Sequence, residues 1–219
     1  MSKKEKNKPV KKISKPVVTA LVVAVCILAV FVVKSFLLNP SDSFDETPSS
    51  RTKGNPRAQV HIVEYLDFEC PACAKGALAL KEYMRQYPSQ IYLEVKHYPI
   101  SSMHPYALRA AVYAECAGRQ NRFWAFQDLL MARQKEWVIQ ANPEIMFKDM
   151  ARDVNLNLKK LEVCTEDADI KALILDEKTK GKSRGVESTP TYFVNDKMVV
   201  GFKTLDGELK SLLKGGGNQ

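Results

Sequence analysis

The sequence predicts an α/β fold whose sheet is interrupted by a helical insertion. Two regions read as strands, Val60–Phe68 with Ile91–Tyr98 and, far downstream, Thr191–Val194 with Lys197–Val200. All are short runs rich in β-branched and aromatic residues. The long stretch between the two regions is strongly helical. A third observation marks one junction: Cys70-Pro71-Ala72-Cys73 lies where the first strand gives way to a helix.

The elements follow in order. Val60–Phe68 (VHIVEYLDF) is an apolar run suited to a buried strand. After the cysteines, Cys73, Ala77, Leu80 and Met84 recur at the spacing of one helical face. Ile91–Tyr98 is a second strand, closed by Pro99. Pro105–Ala117 and Asn121–Arg133 are helical, with Gly118 between them. Pro143–Asp153 carries Ile145, Met146 and Met150 on one side, Asn157 caps a short turn to Val163, and Asp167–Lys180 closes the group. The chain turns at Gly185. Asn195-Asp196 then joins two strands as a two-residue hairpin turn, and Leu205–Lys214 forms a last helix with leucines 205, 209, 212 and 213 on its buried side.

The CxxC is the chemical centre. Cys70 sits at a helix N-terminus, and Pro71 falls in the first turn, where proline is tolerated. Unpaired N–H groups and the positive end of the helix dipole favour a thiolate there, the species that attacks disulfides. A lone CxxC can also be half a zinc site, which needs a second Cys/His pair at motif spacing. The sequence has no such pair, so the motif reads as a redox couple with no metal and no cofactor.

Ahead of this domain, residues 1–16 carry seven lysines against Glu5, and Val17–Leu38 is apolar except for Thr19, Lys34 and Ser35. As a helix, residues 17–38 span roughly 33 Å, enough to cross a bilayer core. The positive-inside rule keeps the N-terminus cytoplasmic and places the rest outside the cytoplasm, in the periplasm or on the outer face. A cleaved signal peptide is the rival, but Lys34-Ser35-Phe36-Leu37-Leu38 offers no small-x-small site, which favours an uncleaved anchor. The net charge of +8 belongs to this signal. Residues 1–38 hold eight Lys and one Glu, leaving 25 basic and 24 acidic side chains elsewhere, so no nucleic-acid partner is implied. Residues 39–57 read as a flexible tether, 58–214 as the folded domain with its insertion at about 103–183, and 215–219 as a disordered tail.

Three segments, in order and at matching spacing, resemble the DsbA-like thioredoxin family of bacterial extracytoplasmic thiol:disulfide oxidoreductases. They are Gly54–Ala58 leading into Val63–Cys73, Ala114-Glu115-Cys116-Ala117 with Phe123-Trp124, and Gly185–Asn195. The resemblance implies a thioredoxin-like fold, a cis peptide at Thr189-Pro190 facing the CxxC, and binding of an extended substrate along Ser188, Thr189 and Pro190. It also implies a buried acid at Glu64, six residues before Cys70, with Lys96 on the neighbouring strand as its partner. A carboxyl in an apolar strand has a raised pKa and can pass a proton to or from Cys73; a structural ion pair is the plainer alternative. Asp67 matches the family pattern as a local structural residue. The chain departs from the family in two places. Pro71-Ala72 lacks the histidine that some strongly oxidising relatives carry between the cysteines, and Ser188 stands where many members have Gly.

Cys116 and Cys164 fall in the insertion and either form a second disulfide, which some family members have, or remain buried thiols. Cys26 lies within the apolar span and reads as inert. His61, His97 and His104 lack metal-ligand spacing and none adjoins the CxxC, so they are expected to be structural or superficial. Trp124 with Phe123 and Phe126 is expected in the insertion core. The expected function is introduction of disulfides into unfolded, cysteine-containing secreted or envelope proteins. The resemblance implies a quinone-linked membrane oxidase as the partner that reoxidises the pair. The alternatives are a reductase or isomerase kept reduced by a membrane electron donor, and a tethered module that binds without turnover. A separate dimerisation domain, usual in isomerases, has no room in the tether. Copper carriers of this fold space their cysteines by three residues rather than two.

Overall fold

The computed structural model describes residues 48–214. The basic segment, the apolar span with Cys26, residues 39–47 of the expected tether and the 215–219 tail lie outside the described residues. Among those described, no helix is long and apolar enough to cross a membrane.

Five strands form one sheet in the order β1-β3-β2-β4-β5. They are β1 (Thr52–Gly54), β2 (Val60–Leu66), β3 (Ile91–His97), β4 (Thr191–Val194) and β5 (Lys197–Val200). Strands β2 and β3 are parallel and the other neighbours antiparallel. A parallel pair requires a crossover, and the CxxC helix α1 (Pro71–Gln86) supplies it. At the hairpin, Asn195 and Asp196 both have positive φ, 46° and 66°, as the expected two-residue turn demands. The Asn195 side chain also accepts from the His61 N–H and donates to the Gln59 carbonyl, tying the hairpin to β2.

Register divides the sheet into two faces. Ile62, Glu64 and Leu66 align with Leu93, Val95 and His97, and Glu64 also aligns with Tyr192. This face packs against α1 and the last helix, α8 (Phe202–Lys214). Tyr65, Phe193 and Tyr98 belong to the other face, against α7 (Ala168–Ser183). Gly181 of α7 lies so close to the Tyr65 ring that a Cβ there would fall 2.6 Å from it.

The insertion comprises α2 (Ala107–Gly118), α3 (Phe123–Ala132), the single turn α4 (Gln134–Trp137), α5 (Glu144–Asp153), α6 (Leu158–Thr165) and α7. Asn157 caps α6 as expected, accepting from the Lys160 N–H. Phe147 packs 5.2 Å from both Tyr113 and Trp137 between ring centroids, and Phe68 meets Phe123 at 6.5 Å, joining this core to the sheet domain. Cys116 and Cys164 are joined in a disulfide that ties α2 to α6.

The tether expected at 39–57 is corrected in its later part. Ser49–Arg51 forms a 3-10 turn, and β1 pairs with β3. The reason is Arg51, which is completely buried. Its guanidinium donates to the Val95 carbonyl at 2.7 Å and to both oxygens of Glu177 at 2.6 and 2.9 Å, while Nε lies 2.9 Å from Glu115. Glu177 also accepts from the His97 N–H, and the His97 ring lies 3.4 Å from Glu115. Trp124 adds a bond from its indole N–H to the Thr52 carbonyl. One cation thus joins the N-terminal segment, the sheet and two insertion helices. Breaking a buried pair by removing one partner costs about 3–5 kcal/mol, because the other charge is left buried. Arg51→Met should therefore destabilise the domain by about that amount in urea unfolding. A loss under about 1 kcal/mol, typical of a surface pair, would refute the clamp.

Candidate active site

Cys70 is the N-cap of α1, with Pro71 next to it, and Cys73 lies one turn further in. Both are buried and present as free thiols, Cys73 completely so. Across from them runs the segment before β4, whose Thr189-Pro190 bond is cis. The Thr189 carbonyl accepts from the neutral Cys70 thiol at 3.4 Å. Two bonds pin this segment: Thr191 Oγ1 donates to the Ser188 carbonyl, and the Gly201 N–H donates to the Pro190 carbonyl. Ser188 is exposed and Thr189 half-buried, so the strip beside Cys70 is open to an incoming chain.

The two sulfurs have opposite electrostatics. The Cys73 thiol, hydrogen-bonded to the Cys70 sulfur, pulls the Cys70 pKa down to about 5 against the opposing effect of burial. The backbone N–H groups of Cys73 and Ala72, together with Thr189, assist. Burial drives the Cys73 thiol upward, and the neighbouring Cys70 and Glu64 raise it further. The pair therefore offers one stabilised thiolate at the cavity wall and one protonated thiol beneath it.

Glu64 lies on the sheet face under α1 and is completely buried. Burial pushes its pKa up to about 8, with the Tyr192 hydroxyl pulling the other way. Neither carboxyl oxygen has a hydrogen-bond partner of good geometry, and neither does the Tyr192 hydroxyl. Glu64 and Tyr192 are directly paired across β2 and β4. Gly76 of α1 leaves room for that hydroxyl, because a Cβ would lie 2.2 Å from it. Lys96 does not accompany Glu64 and is corrected here. It aligns with Tyr65, while Glu64 aligns with Val95, and successive residues of a strand point to opposite faces.

Asp67 has the structural role expected of it. Its carboxylate accepts from the N–H groups of Glu69 and Ile100 and from Nδ1 of His104, the last at 2.8 Å. His104, expected to be structural or superficial, is tied to Asp67 and also lines the cavity beside Cys70. This cavity has a volume of ≈ 500 Å³ and is also lined by Lys75, Met103, Glu187 and Phe202. Burial alone would lower the His104 pKa, but Asp67, with smaller contributions from Cys70 and Glu69, carries it above the usual value. The other two histidines stay apart from the site: His61 is exposed and His97 belongs to the Arg51 cluster.

A second residue without any sequence signal is Gln134. It is buried in α4, and its side-chain amide donates to the carbonyls of Phe68 and Cys70 at 2.8 and 2.9 Å. The insertion thereby grips the backbone on which Cys70 sits. Tyr192 was visible in sequence only as a strand residue; its place beside Glu64 comes from the register.

Residues 46–214 match the model of a family described as Thioredoxin. Among curated proteins, the Na(+)/H(+) antiporter NhaA 3 of Salinispora tropica is 35% identical over 143 residues, which is 65% of this chain and 21% of the antiporter. The Na(+)/H(+) antiporter NhaA 1 of Mycolicibacterium gilvum is 28% identical over 163 residues, 74% of this chain and 25% of that one. The chain thus spans about a fifth to a quarter of the length of these relatives. Among solved structures, Wolbachia pipientis alpha-DsbA1 aligns at a TM-score of 0.66 and 19% identity, over 77% of this chain and 92% of that chain. A thioredoxin-like oxidoreductase from Silicibacter pomeroyi gives 0.64 and 24%, over 80% and 98%. Pseudomonas aeruginosa DsbA2 gives 0.58 and 25%, over 75% and 94%. A strand–CxxC-helix–strand unit, a cis-proline before a hairpin, a helical insertion between them and a family match across the whole described domain lead to one assignment: the chain belongs to the thioredoxin family, as a DsbA-like member.

Proposed function

We propose that this protein is a membrane-anchored thiol:disulfide oxidoreductase that introduces disulfides into unfolded secreted or cell-envelope polypeptides. The observation that carries this is the pairing of a stabilised Cys70 thiolate with a buried, protonated Cys73, set against the Thr189 carbonyl of the cis-proline segment. Anchoring through residues 17–38, with the domain outside the cytoplasm, rests on the apolar span and the lysines before it. The solved DsbA proteins and the thioredoxin-like oxidoreductase of like fold support the reaction class.

The reaction begins from the Cys70–Cys73 disulfide. A substrate thiolate attacks Cys70 Sγ, forming a mixed disulfide and releasing Cys73 as a thiolate. Glu64, protonated near neutral pH, supplies the proton that Cys73 then holds. A second substrate thiolate attacks the substrate sulfur and expels Cys70, which leaves readily because its thiolate is stabilised. Two electrons pass from the substrate thiols to the pair, and the substrate gains a disulfide. The substrate backbone lies along Ser188, Thr189 and Pro190 as an added strand. A quinone-linked membrane oxidase takes the electrons onward.

Cys73→Ser should accumulate mixed disulfides through Cys70, visible as adducts on non-reducing gels that reductant removes, and Cys70→Ser should accumulate none. Adducts that form only in the Cys70 variant would reverse the order of attack. Direction is read in intact cells by acid quenching and thiol alkylation, with a Cys116/Cys164 double variant as control. A mainly oxidised pair is expected; a mainly reduced pair would make the protein a reductase or isomerase.

Glu64 gives a pH prediction. Its pKa rises from 4.5 when unfolded to about 8 when folded, so between these values the folded state holds the extra proton. Stability therefore falls as pH rises through this window, by about 1.4 kcal/mol per unit from this group, and levels off above it. Glu64→Gln should abolish that slope in the disulfide form, where the thiols do not titrate, and should slow release of Cys73. Parallel stability curves for variant and wild type would show that Glu64 is not the buried acid.

A further inference from the structure

The cavity beside Cys70 is walled in part by a histidine tied to a buried carboxylate. His104 Nδ1 lies 2.8 Å from Asp67 Oδ2, and the other carboxylate oxygen accepts from the Glu69 N–H. The Asp67 carbonyl in turn accepts from the Cys70 N–H. The same aspartate thus fixes both the imidazole and the backbone of Cys70, which lies three residues after it in sequence. With Nδ1 committed to Asp67, Nε2 is the ring nitrogen left for the cavity, whose wall His104 shares with Cys70. Ile100 holds the loop from the other side, its carbonyl accepting from the His104 N–H.

The charges around His104 come from several elements. Asp67 and Glu69 lie on the loop after β2, Lys75 on α1 and Glu187 on the strip before Thr189. The Glu69 carboxylate accepts from the Tyr106 N–H, and Lys75 is exposed. Asp67 is the one acid locked onto the imidazole in this geometry.

We propose that His104 is the counter-ion of the Cys70 thiolate: an imidazolium locked by Asp67 that stabilises the reduced pair and so strengthens it as an oxidant. No bond forms to the ring. It is a positioning residue that acts through charge on the sulfur. The proposal rests on Cys70–Cys73 being a redox couple, whichever way electrons flow.

Linkage supplies a test in the unaltered protein. Whatever His104 does for the thiolate, the thiolate must do for His104, and oxidation removes that thiolate. In full-length protein in detergent, NMR titration of the three histidine rings should show His104 titrating about half to one pH unit higher in the dithiol than in the disulfide form. Exposed His61 should not move. Equal His104 midpoints in the two forms would overturn the proposal. If oxidant leaves both thiols free, the redox assignment itself falls, and this proposal with it.

A variant gives the reciprocal measurement. His104→Asn keeps a donor toward Asp67 and removes the cation. The midpoint of Cys70 alkylation with pH should rise by about half to one unit, and the equilibrium with glutathione should move several-fold, up to about ten-fold, toward the disulfide. Lys75→Gln should shift both by less. A purely structural His104 would change the unfolding midpoint and neither redox readout, an outcome that would also refute the proposal.

Discussion

The chemistry of this domain depends on one hydrogen bond between two sulfurs with different burial. Cys70 caps the helix and Cys73 lies a turn inside it, so desolvation penalises charge on Cys73 far more than on Cys70. The shared proton therefore stays on the inner sulfur, and its hydrogen bond stabilises the outer thiolate. Each cysteine's role follows from the other's surroundings. A CxxC on an exposed helix would have the same spacing without this division of labour.

That division survives only if the first turn of α1 cannot shift, and its anchors come from distant parts of the chain. Gln134 reaches from the insertion to the Cys70 carbonyl, Asp67 accepts from the loop around Ile100 and His104, and Thr191 and Gly201 fix the strip that carries Thr189. Beneath the sheet, Arg51 joins the N-terminal segment to Glu115 and Glu177. The insertion is thus a scaffold for Cys70 as well as a cover over the sheet. A buried cation between two buried acids fixes geometry more surely than it adds stability, since an apolar trio of similar volume serves stability as well.

The strands and helices that alternate or repeat cleanly were legible in the sequence. β2, β3, the hairpin and α1 all came from apolar period, and the hairpin matched to the residue. The cysteines and Thr189-Pro190 were legible as motifs. β1 was not, because Thr52-Lys53-Gly54 has no apolar residue and forms a strand only through its pairing with β3. Arg51 was hidden for the opposite reason: a charged side chain gives no hint of burial before its partners are in place. Lys96 is the instructive error. In Ile91–His97 the apolar residues Ile91, Leu93 and Val95 alternate with Tyr92, Glu94 and Lys96, and that pattern already puts Lys96 on the face away from α1. His104 carried no signal, since its meeting with Asp67 spans 37 residues and depends on a loop.

Glu64 and His104 occupy complementary positions about the two sulfurs. Glu64 lies in the core on the Cys73 side, where burial favours its neutral form, and changing its charge there costs stability. His104 lies at the cavity wall on the Cys70 side, where Asp67 favours its charged form. A neutral acid suits the sulfur that must regain a proton, and a cation suits the sulfur that must remain without one. Exchanging the two would fail on desolvation alone, because an unpaired imidazolium at the Glu64 position would have no carboxylate to offset its burial. The helix turn between Cys70 and Cys73 therefore separates two dielectric environments, and it is this separation, rather than the CxxC spacing, that makes the two sulfurs unequal.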